Sequence, residues 1–545
     1  MTESQLEELR KYQAAYEKNI PSARDPRNAA KCAALLLERG EDADVQRAQE
    51  IVETLMGLQV DAPSSGVHGQ FPMKADGEVG DLNAVLFLMP ALIRILELGH
   101  DLLPDKLMSE FELCMQRAIV AVERRWDEER FDLYRDFKAY TNVFLLYIQA
   151  LILVGRHYGS ERHERMATAQ WQRWFNHISY YGIDELSPNY SNVDYEALQT
   201  IHEQGHDNQI RRESAWVLEY LSATYLAITH PVMRLPVCGS FRNYRVFLTQ
   251  GNCEPNCVKE AGRCRHVSAA VRQDYESRQY PYAARGRATS APFRFQSWHE
   301  EHAAMGTMTG GNYFWQQIHC MVAVGNSATE RAVLFLPGAF TPTSGFTAQR
   351  EMTSLCVFSR EPNTLHRTQY AIPDDEIHAY QQAFEIGISK NWQVTVQDTA
   401  RLVFSAFGYD VHVRPFAIHG EVIRPVALRR EKRHNMGQKG FHKRPAEFDA
   451  FRFPDEAVRF GCLVEVCEAT EAPSDSTISC RNRNGFLTVM LDKPQLEVKL
   501  FQQPSGELTE CYREDWRILP LLESPAYELY PGELTRRVAN DLRDV

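Results

Sequence analysis

The chain has 545 residues, 44% hydrophobic and 24% charged, ordinary proportions for a globular protein and enough length for two or three domains. Its formal charge of −12 excludes a general nucleic-acid binder, which carries a basic domain, but leaves room for a local basic cleft that takes a small anion. The start, Met1-Thr-Glu-Ser-Gln-Leu-Glu-Glu-Leu9, is polar and lacks the apolar core of a secretory signal.

The most apolar run, Val143–Gly155, is shorter than the about 20 residues that a membrane span needs, and it reads as a buried helix. A cytoplasmic protein is therefore expected, with no membrane partner and with most of its cysteines as reduced thiols.

In chain order, apolar residues recur at helical spacing over Ser4–Tyr16, Asn28–Leu37, Val45–Met56 and Ala84–Leu98. Further helices are expected across Leu107–Arg124, Tyr140–Gly155, Glu161–Ile178 and Ser214–Thr229, the last stopping before His230-Pro231 because proline disfavours helix in the preceding residue. Roughly eight to ten helices exceed a simple four-helix bundle and suit an array of helical hairpins. The absence of a fixed-period repeat favours a closed toroid over a solenoid.

Three loops interrupt this pattern. Gly66-Val-His-Gly-Gln-Phe-Pro-Met73 leads to Asp81-Leu-Asn83, where Asp81 or Asn83 reads as a helix N-cap. In Tyr134–Asn142, either Thr141 or Asn142 caps the following apolar helix, or the Asn142 amide points into the same cleft as Asn189. Glu185-Leu-Ser-Pro-Asn-Tyr-Ser-Asn-Val-Asp-Tyr195 breaks helix at Ser-Pro and then supplies Asn189, Tyr190, Asn192 and Tyr195 within seven positions. Ser191 or Asn192 would cap the next helix; the surplus of amides and phenols also suits a loop facing a cleft.

After about residue 290 the period shortens to that of strands. Ala332–Pro337, Trp392–Val396, Arg401–Phe404, Val411–Arg414, Gly461–Val466, Gly485–Met490 and Gln495–Phe501 read as strands separated by turns such as Asn484-Gly485. Strands without long intervening helices imply an antiparallel sandwich. The expected organisation is an (α/α) toroid over 1–235, an irregular connection with a Cys/His-rich insertion over 236–290, and an antiparallel β-sandwich over 291–545 with a mixed tail.

Four groups could carry chemistry. Cys253, Cys257, Cys264 and His266 offer four soft ligands for a structural zinc, at a spacing unlike the common fingers, with free thiols as the plainer reading. His299 and His302 sit three apart beside Glu300 and Glu301, which is not the four-residue spacing of zinc proteases. On one strand they would face opposite sides, and His302 is the one assigned to a cleft. Arg242 and Tyr244 alternate around Asn243, so a guanidinium could lower the pKa of a phenol. Arg429–His434 and Lys439–Arg444 form the strongly basic region, read as a solvated loop rather than a polyanion site. No phosphate loop, Gly-x-Ser-x-Gly elbow or dinucleotide fingerprint is present.

Together, His68-Gly-Gln-Phe-Pro72 with Asp81-Leu-Asn83, Tyr140-Thr-Asn142, Glu185-Leu-Ser-Pro-Asn-Tyr190, His230-Pro231 with Phe241-Arg-Asn-Tyr244, and Ala303-Ala-Met-Gly-Thr307 make the chain resemble the toroid-plus-sandwich polysaccharide lyases, the heparinase II/III-like and alginate-lyase-like group. The resemblance runs over most of residues 45–325. That family usually carries a secretion signal, and the Cys253–His266 insertion is not one of its features.

The resemblance implies β-elimination on a uronic-acid-containing glycan, with no cofactor required for catalysis. Asn142, Asn189 and Arg242 would neutralise the carboxylate, Tyr190 or Tyr244 would serve as base and acid, and His302 would reach in from the sheet side. Glu185, Asn192, Trp315 and Gln317 would bind substrate. The expected partner is an anionic oligo- or polysaccharide, and a homo-oligomer is compatible with the chain. The alternatives are a toroid glycoside hydrolase, for which Glu185 with Asp194 or Glu196 offers the acids, and a repurposed intracellular toroid enzyme or binding protein for a small molecule.

Overall fold

Helical periodicity in the first part of the chain becomes nine helices among the described residues, and the strand patterning of the second becomes antiparallel sheets, an α+β chain. The structure is a computed structural model and describes residues 3–17, 24–125, 141–181, 190–237, 273, 275–288, 293–310, 318–336, 344–359, 385–398, 400–434, 447–454, 457–502 and 508–510. Two compact units divide it: Met1–Phe175 with Glu196–Ser214, and Asn176–Tyr195 with Ala215–Val545.

The helices are α1 (Glu3–Glu17), α2 (Pro26–Arg39), α3 (Asp42–Leu58), α4 (Ala84–Leu102), α5 (Asp105–Arg125), α6 (Thr141–Tyr158), α7 (Glu161–Tyr181), α8 (Ser191–Gln204) and α9 (Asn208–Ile228). Their limits follow local chemistry. Pro26 opens α2, where its missing N–H costs nothing, and Gly40 closes it in a left-handed conformation at φ 72° with its N–H on the Leu36 carbonyl.

In the first unit α2 packs on α3 and α4, and α4 packs on α5 and α6. The apolar run expected to be a buried helix is α6, buried on every side from Thr141 to Ile152. Each Leu, Ile or Phe taken out of water there contributes about 1.5–3 kcal/mol. Among the described residues no helix is long and apolar enough to cross a membrane.

The loop before α4 is a packed structural turn. Gly69 has φ 82°, and a Cβ there would lie 2.1 Å from the Arg117 carbonyl oxygen, so only glycine fits. Gln59 ties the turn down by donating to the Gly69 and Cys114 carbonyls. Asn83 occupies the N-cap position of α4, as expected, but its side-chain oxygen accepts from Arg125 Nε at 2.8 Å instead of capping.

In the second unit an eight-stranded sheet is ordered β15-β16-β10-β7-β6-β5-β4-β3: β3 (Tyr282–Ala288), β4 (Phe293–His299), β5 (Ala303–Gly310), β6 (Cys320–Gly325), β7 (Arg331–Leu336), β10 (Glu385–Ile388), β15 (Arg429–His434) and β16 (Glu447–Arg452). A seven-stranded sheet holds β11 (Gln393–Asp398), β12 (Arg401–Ala406), β13 (Tyr409–His419), β17 (Arg459–Glu468), β9 (Thr353–Ser359) and β8 (Ser344–Arg350), with β14 (Val422–Pro425) beside β13.

One core joins these two sheets, with Met305, Val322 and Leu334 from the first meeting Phe358, Phe404 and Val464 from the second. The four-stranded sheet of β18 (Ile478–Arg483), β19 (Phe486–Leu491), β20 (Leu496–Gln502) and β21 (Leu508–Glu510) covers the opposite face of the seven-stranded one through Leu487, Val489 and Leu500. Period-2 alternation explains both cores: along β13, Val411 and Val413 face one sheet while Phe416 and Ile418 face the other. Arg429–His434, expected as a solvated loop, is instead the edge strand β15, paired residue for residue with β16. Its charges are those that edge strands carry against further pairing.

Candidate functional site

The site is built at the end of α9, within the second unit. The helix stops at Ile228, and Thr229–His230 (β1) pair with Leu235–Pro236 (β2). Carbonyls at a helix C-terminus lack internal partners and carry partial negative charge. Arg278 answers both needs, donating through Nη1 to the Leu226 and Ala227 carbonyls at 2.9 and 3.4 Å.

From that anchor a column of rings runs back. The Arg278 guanidinium lies 4.6 Å from the centre of the Tyr282 ring. Tyr282 on β3 is register-paired with His299 on β4, so their side chains share a face and stack at 4.3 Å and 5°. His299 lies 5.7 Å from His230, which stacks at 5.5 Å on Tyr280.

His230 is fully buried, and both its nitrogens are engaged. Nδ1 accepts the Met233 backbone N–H at 3.2 Å, which leaves the proton on Nε2 to be donated to the Glu300 carbonyl at 2.7 Å. Burial first, then the nearby His302 and Arg278, lowers its pKa to about 4, so the ring is neutral at ordinary pH. His299 is lowered well below the usual range by burial, with His230 and Arg278 adding to it. Its Nε2 meets Ser297 Oγ at 2.8 Å and its Nδ1 has no partner among the described residues.

Tyr280 is pushed up to about 12, chiefly by burial, with Glu301 raising and Arg278 opposing. The Val232 backbone faces its hydroxyl, but outside hydrogen-bonding limits.

His302 stands at the tip of this region. β4 ends at His299 and β5 begins at Ala303, and Glu300 N–H donates to the Ala303 carbonyl at 2.8 Å. Glu301 and His302 therefore form a two-residue hairpin loop. The expectation that His299 and His302 lie on opposite faces of one strand is corrected: one closes β4 and the other sits in the turn. His302 is half-buried, with Nδ1 buried and unpartnered among the described residues. Glu300 also has its carboxyl raised, mainly by burial, with the Trp298 N–H opposing and Glu351, Glu468 and Glu471 reinforcing.

The remaining sequence-derived residues fall as follows. Asn142 is buried on the first turn of α6, in the first unit. Tyr190 and Asn192 belong to the second unit. Tyr190, not Ser191 or Asn192, immediately precedes α8, with its carbonyl accepting the Asp194 N–H at 2.9 Å. Glu185, Asn189, Arg242, Tyr244, Trp315, Gln317, Cys253, Cys257, Cys264 and His266 lie outside the described residues. Among the described residues no three His, Cys, Asp or Glu side chains are grouped to hold a metal ion.

Sequence reasoning missed Arg278, Tyr280 and Tyr282. The only signal for them was aromatic spacing in Arg278-Gln-Tyr-Pro-Tyr282, which acquires meaning only once β3 is registered on β4.

Comparison with known proteins adds the following. Residues 1–245 match a family model described as "Domain of unknown function (DUF8769)". No curated protein matches the chain. Among solved structures, a mutant of the heparan sulfate lyase HepC from Pedobacter heparinus is similar with a TM-score of 0.34 and 9% identity, over 86% of this chain and 81% of that one. The heparinase III BT4657 gene product with methylated lysines is similar with a TM-score of 0.33 and 10% identity, over 87% of this chain and 83% of that one. Likeness of this size assigns neither the fold nor the reaction.

Proposed function

We propose that the chain is a carbon–oxygen lyase that cleaves a uronic-acid-containing glycan by β-elimination, its helices forming a toroid and its two large sheets a sandwich. The observation that carries the reading is the half-buried hairpin imidazole of His302, set beside neutral His230 and backed by Arg278 and two phenols.

The reaction removes the proton alpha to the uronate carboxylate. Negative charge then spreads over the carboxylate as an enediolate, and the oxygen on the adjacent carbon leaves as the double bond forms. Catalysis needs donors where that charge develops and a group that takes one proton and returns one. Asn142, Asn189 and Arg242 supply donors, Tyr190 or Tyr244 the proton shuttle, and His302 a further donor or base. Glu185, Asn192, Trp315 and Gln317 hold the chain, and Cys253, Cys257, Cys264 and His266 hold a structural zinc in the insertion.

A hydrolase reading has one observation in its favour. Glu300 carries a raised carboxyl, the property of a general acid, although a second carboxylate must stand about 5–9.5 Å away for that chemistry.

Incubation with glucuronan, alginate and heparin-type chains tests both readings. Ultraviolet absorbance of an unsaturated uronate supports the lyase, and new reducing ends without it support the hydrolase. Silence on every substrate removes both and leaves a binding role. Tyr190→Phe and Tyr244→Phe should abolish turnover in one case; two active variants would eliminate the tyrosine mechanism.

A further inference from the structure

The β4–β5 hairpin lacks the backbone geometry that fixes other hairpins of the same length. Two-residue loops are self-determined when their residues take positive φ, because that twist matches the strands they join. Asn484 and Gly485 do so at 52° and 78° between β18 and β19, and Phe407 and Gly408 at 51° and 82° between β12 and β13. Glu351 at 52° and Gly420 at 64° open the loops after β8 and β13. Glu301 and His302 have no positive φ. The Glu300 N–H bond to the Ala303 carbonyl closes their loop, but its backbone twist does not fix it, which leaves a role for a contact from a neighbouring element.

We propose that His230 is the positioning residue that seats this hairpin and thereby sets the His302 imidazole. The inference rests on the reading of His302 as a site residue. His230 is well suited to the task. It is fully buried, its Nδ1 is committed to the Met233 N–H of the tight β1–β2 turn, and its Nε2–H reaches across to the Glu300 carbonyl. Tyr280 and His299 flank its ring and restrict its tilt. The Glu300 carbonyl is the last backbone acceptor before the loop, so one hydrogen bond, held by a ring that cannot rotate, fixes where Glu301 and His302 begin. On the far side His302 continues the β5–β6 ladder, its carbonyl accepting the Gly325 N–H at 2.9 Å.

The two nitrogens can be tested separately. In His230→Asn the amide oxygen can replace Nδ1 toward Met233, but the side chain is too short to reach Glu300. In His230→Gln the amide N–H can replace Nε2 toward Glu300. The full-length protein and both variants are compared by amide hydrogen exchange at Gly325 and by turnover of whichever uronate glycan the wild type cleaves. His230→Asn should speed Gly325 exchange at least about tenfold. It should also lower kcat by about ten- to a hundredfold, the scale of a misplaced catalytic group, with KM within about threefold. His230→Gln should restore both toward wild type.

Equal Gly325 protection and equal kcat in His230→Asn would overturn the proposal. So would loss in His230→Gln alone with His230→Asn intact, since that pattern assigns the residue to the β1–β2 turn. If the wild type cleaves no uronate glycan, the lyase reading fails on its own, and the exchange result still decides whether His230 seats the hairpin.

Discussion

Two buried histidines in the second unit show opposite solutions to one problem. His230 is fully buried and His412 is 4% exposed, and burial is the first cause of a lowered pKa in both. His230 spends both nitrogens on backbone groups. His412, on β13 and paired in register with Glu465 on β17, has no hydrogen-bond partner on either nitrogen among the described residues. The reason lies next door. Glu465 is already taken by Arg414 at 3.1 Å and by the Ser474 hydroxyl, and Arg414 also donates to the Ser476 carbonyl at 2.7 Å. An ion pair that satisfies itself leaves the adjacent imidazole as packing. The comparison teaches that burial and a depressed pKa do not mark a functional histidine; the identity of its partners does.

The largest expected effect separates the two directly. His230→Ala leaves the buried Met233 N–H without its acceptor at about 1–3 kcal/mol, strips the half-buried Glu300 carbonyl of its donor at less, and empties the space of a buried ring, so the denaturation midpoint should fall by the equivalent of about 3 kcal/mol. His412→Ala strands no such group and should cost less than half as much. Equal losses would dissolve the distinction.

Acid titration sharpens it next. The His230 pKa is about 4 when folded, below the 6.5 of an unconstrained imidazole, so the unfolded chain binds more protons between those values. Its contribution is fully present above pH 6.5 and is lost as pH falls toward 4, about 3 kcal/mol across the window. His230→Gln should flatten that slope, and the wild-type-minus-variant difference cancels the carboxylates common to both. His412, also lowered but opposed by Asp410 and Glu465, should give a shallower dependence in the same direction. An unchanged slope in His230→Gln would show that His299 or the carboxylates carry the acid sensitivity.

A smaller loss is expected at the anchor of the ring column. Arg278→Lys keeps the charge near the end of α9 but gives up the flat guanidinium that lies on Tyr282 and places Nη1 between the Leu226 and Ala227 carbonyls. Thermal melting should register about 1–2 kcal/mol. No change would mean that the helix end is satisfied without it.

These features differ in how far the chain announces them. The helix of Val143–Gly155 was legible because an unbroken apolar run at that length has one inexpensive fate, and β13 because its alternation survives any register. The stop of α9 before His230-Pro231 was equally plain. The Tyr282–His299 stack was not, since it depends on which residue of β3 faces which residue of β4, and a one-residue slip would put the two rings on opposite faces. Strand periodicity sets His302 apart from His299 on the wrong geometry: it lies in a turn, not on a strand. Arg429–His434 misled because its charges describe a solvated surface, and a sheet edge is one as much as a loop is.

The weakest expected effect is also the most direct test of the opening contrast. His412→Val replaces an imidazole that makes no hydrogen bond with a β-branched side chain suited to a strand. Val403, its register partner on β12, is already apolar and buried. Removing a buried polar group that has no partner relieves a desolvation cost, while the smaller side chain leaves a gap; the two terms oppose. Stability should therefore stay within about 1 kcal/mol of wild type, with any gain growing as pH falls because the titrating group is gone. A loss of several kcal/mol would mean that His412 holds a polar group in solution, and the two histidines would then be variations on one design.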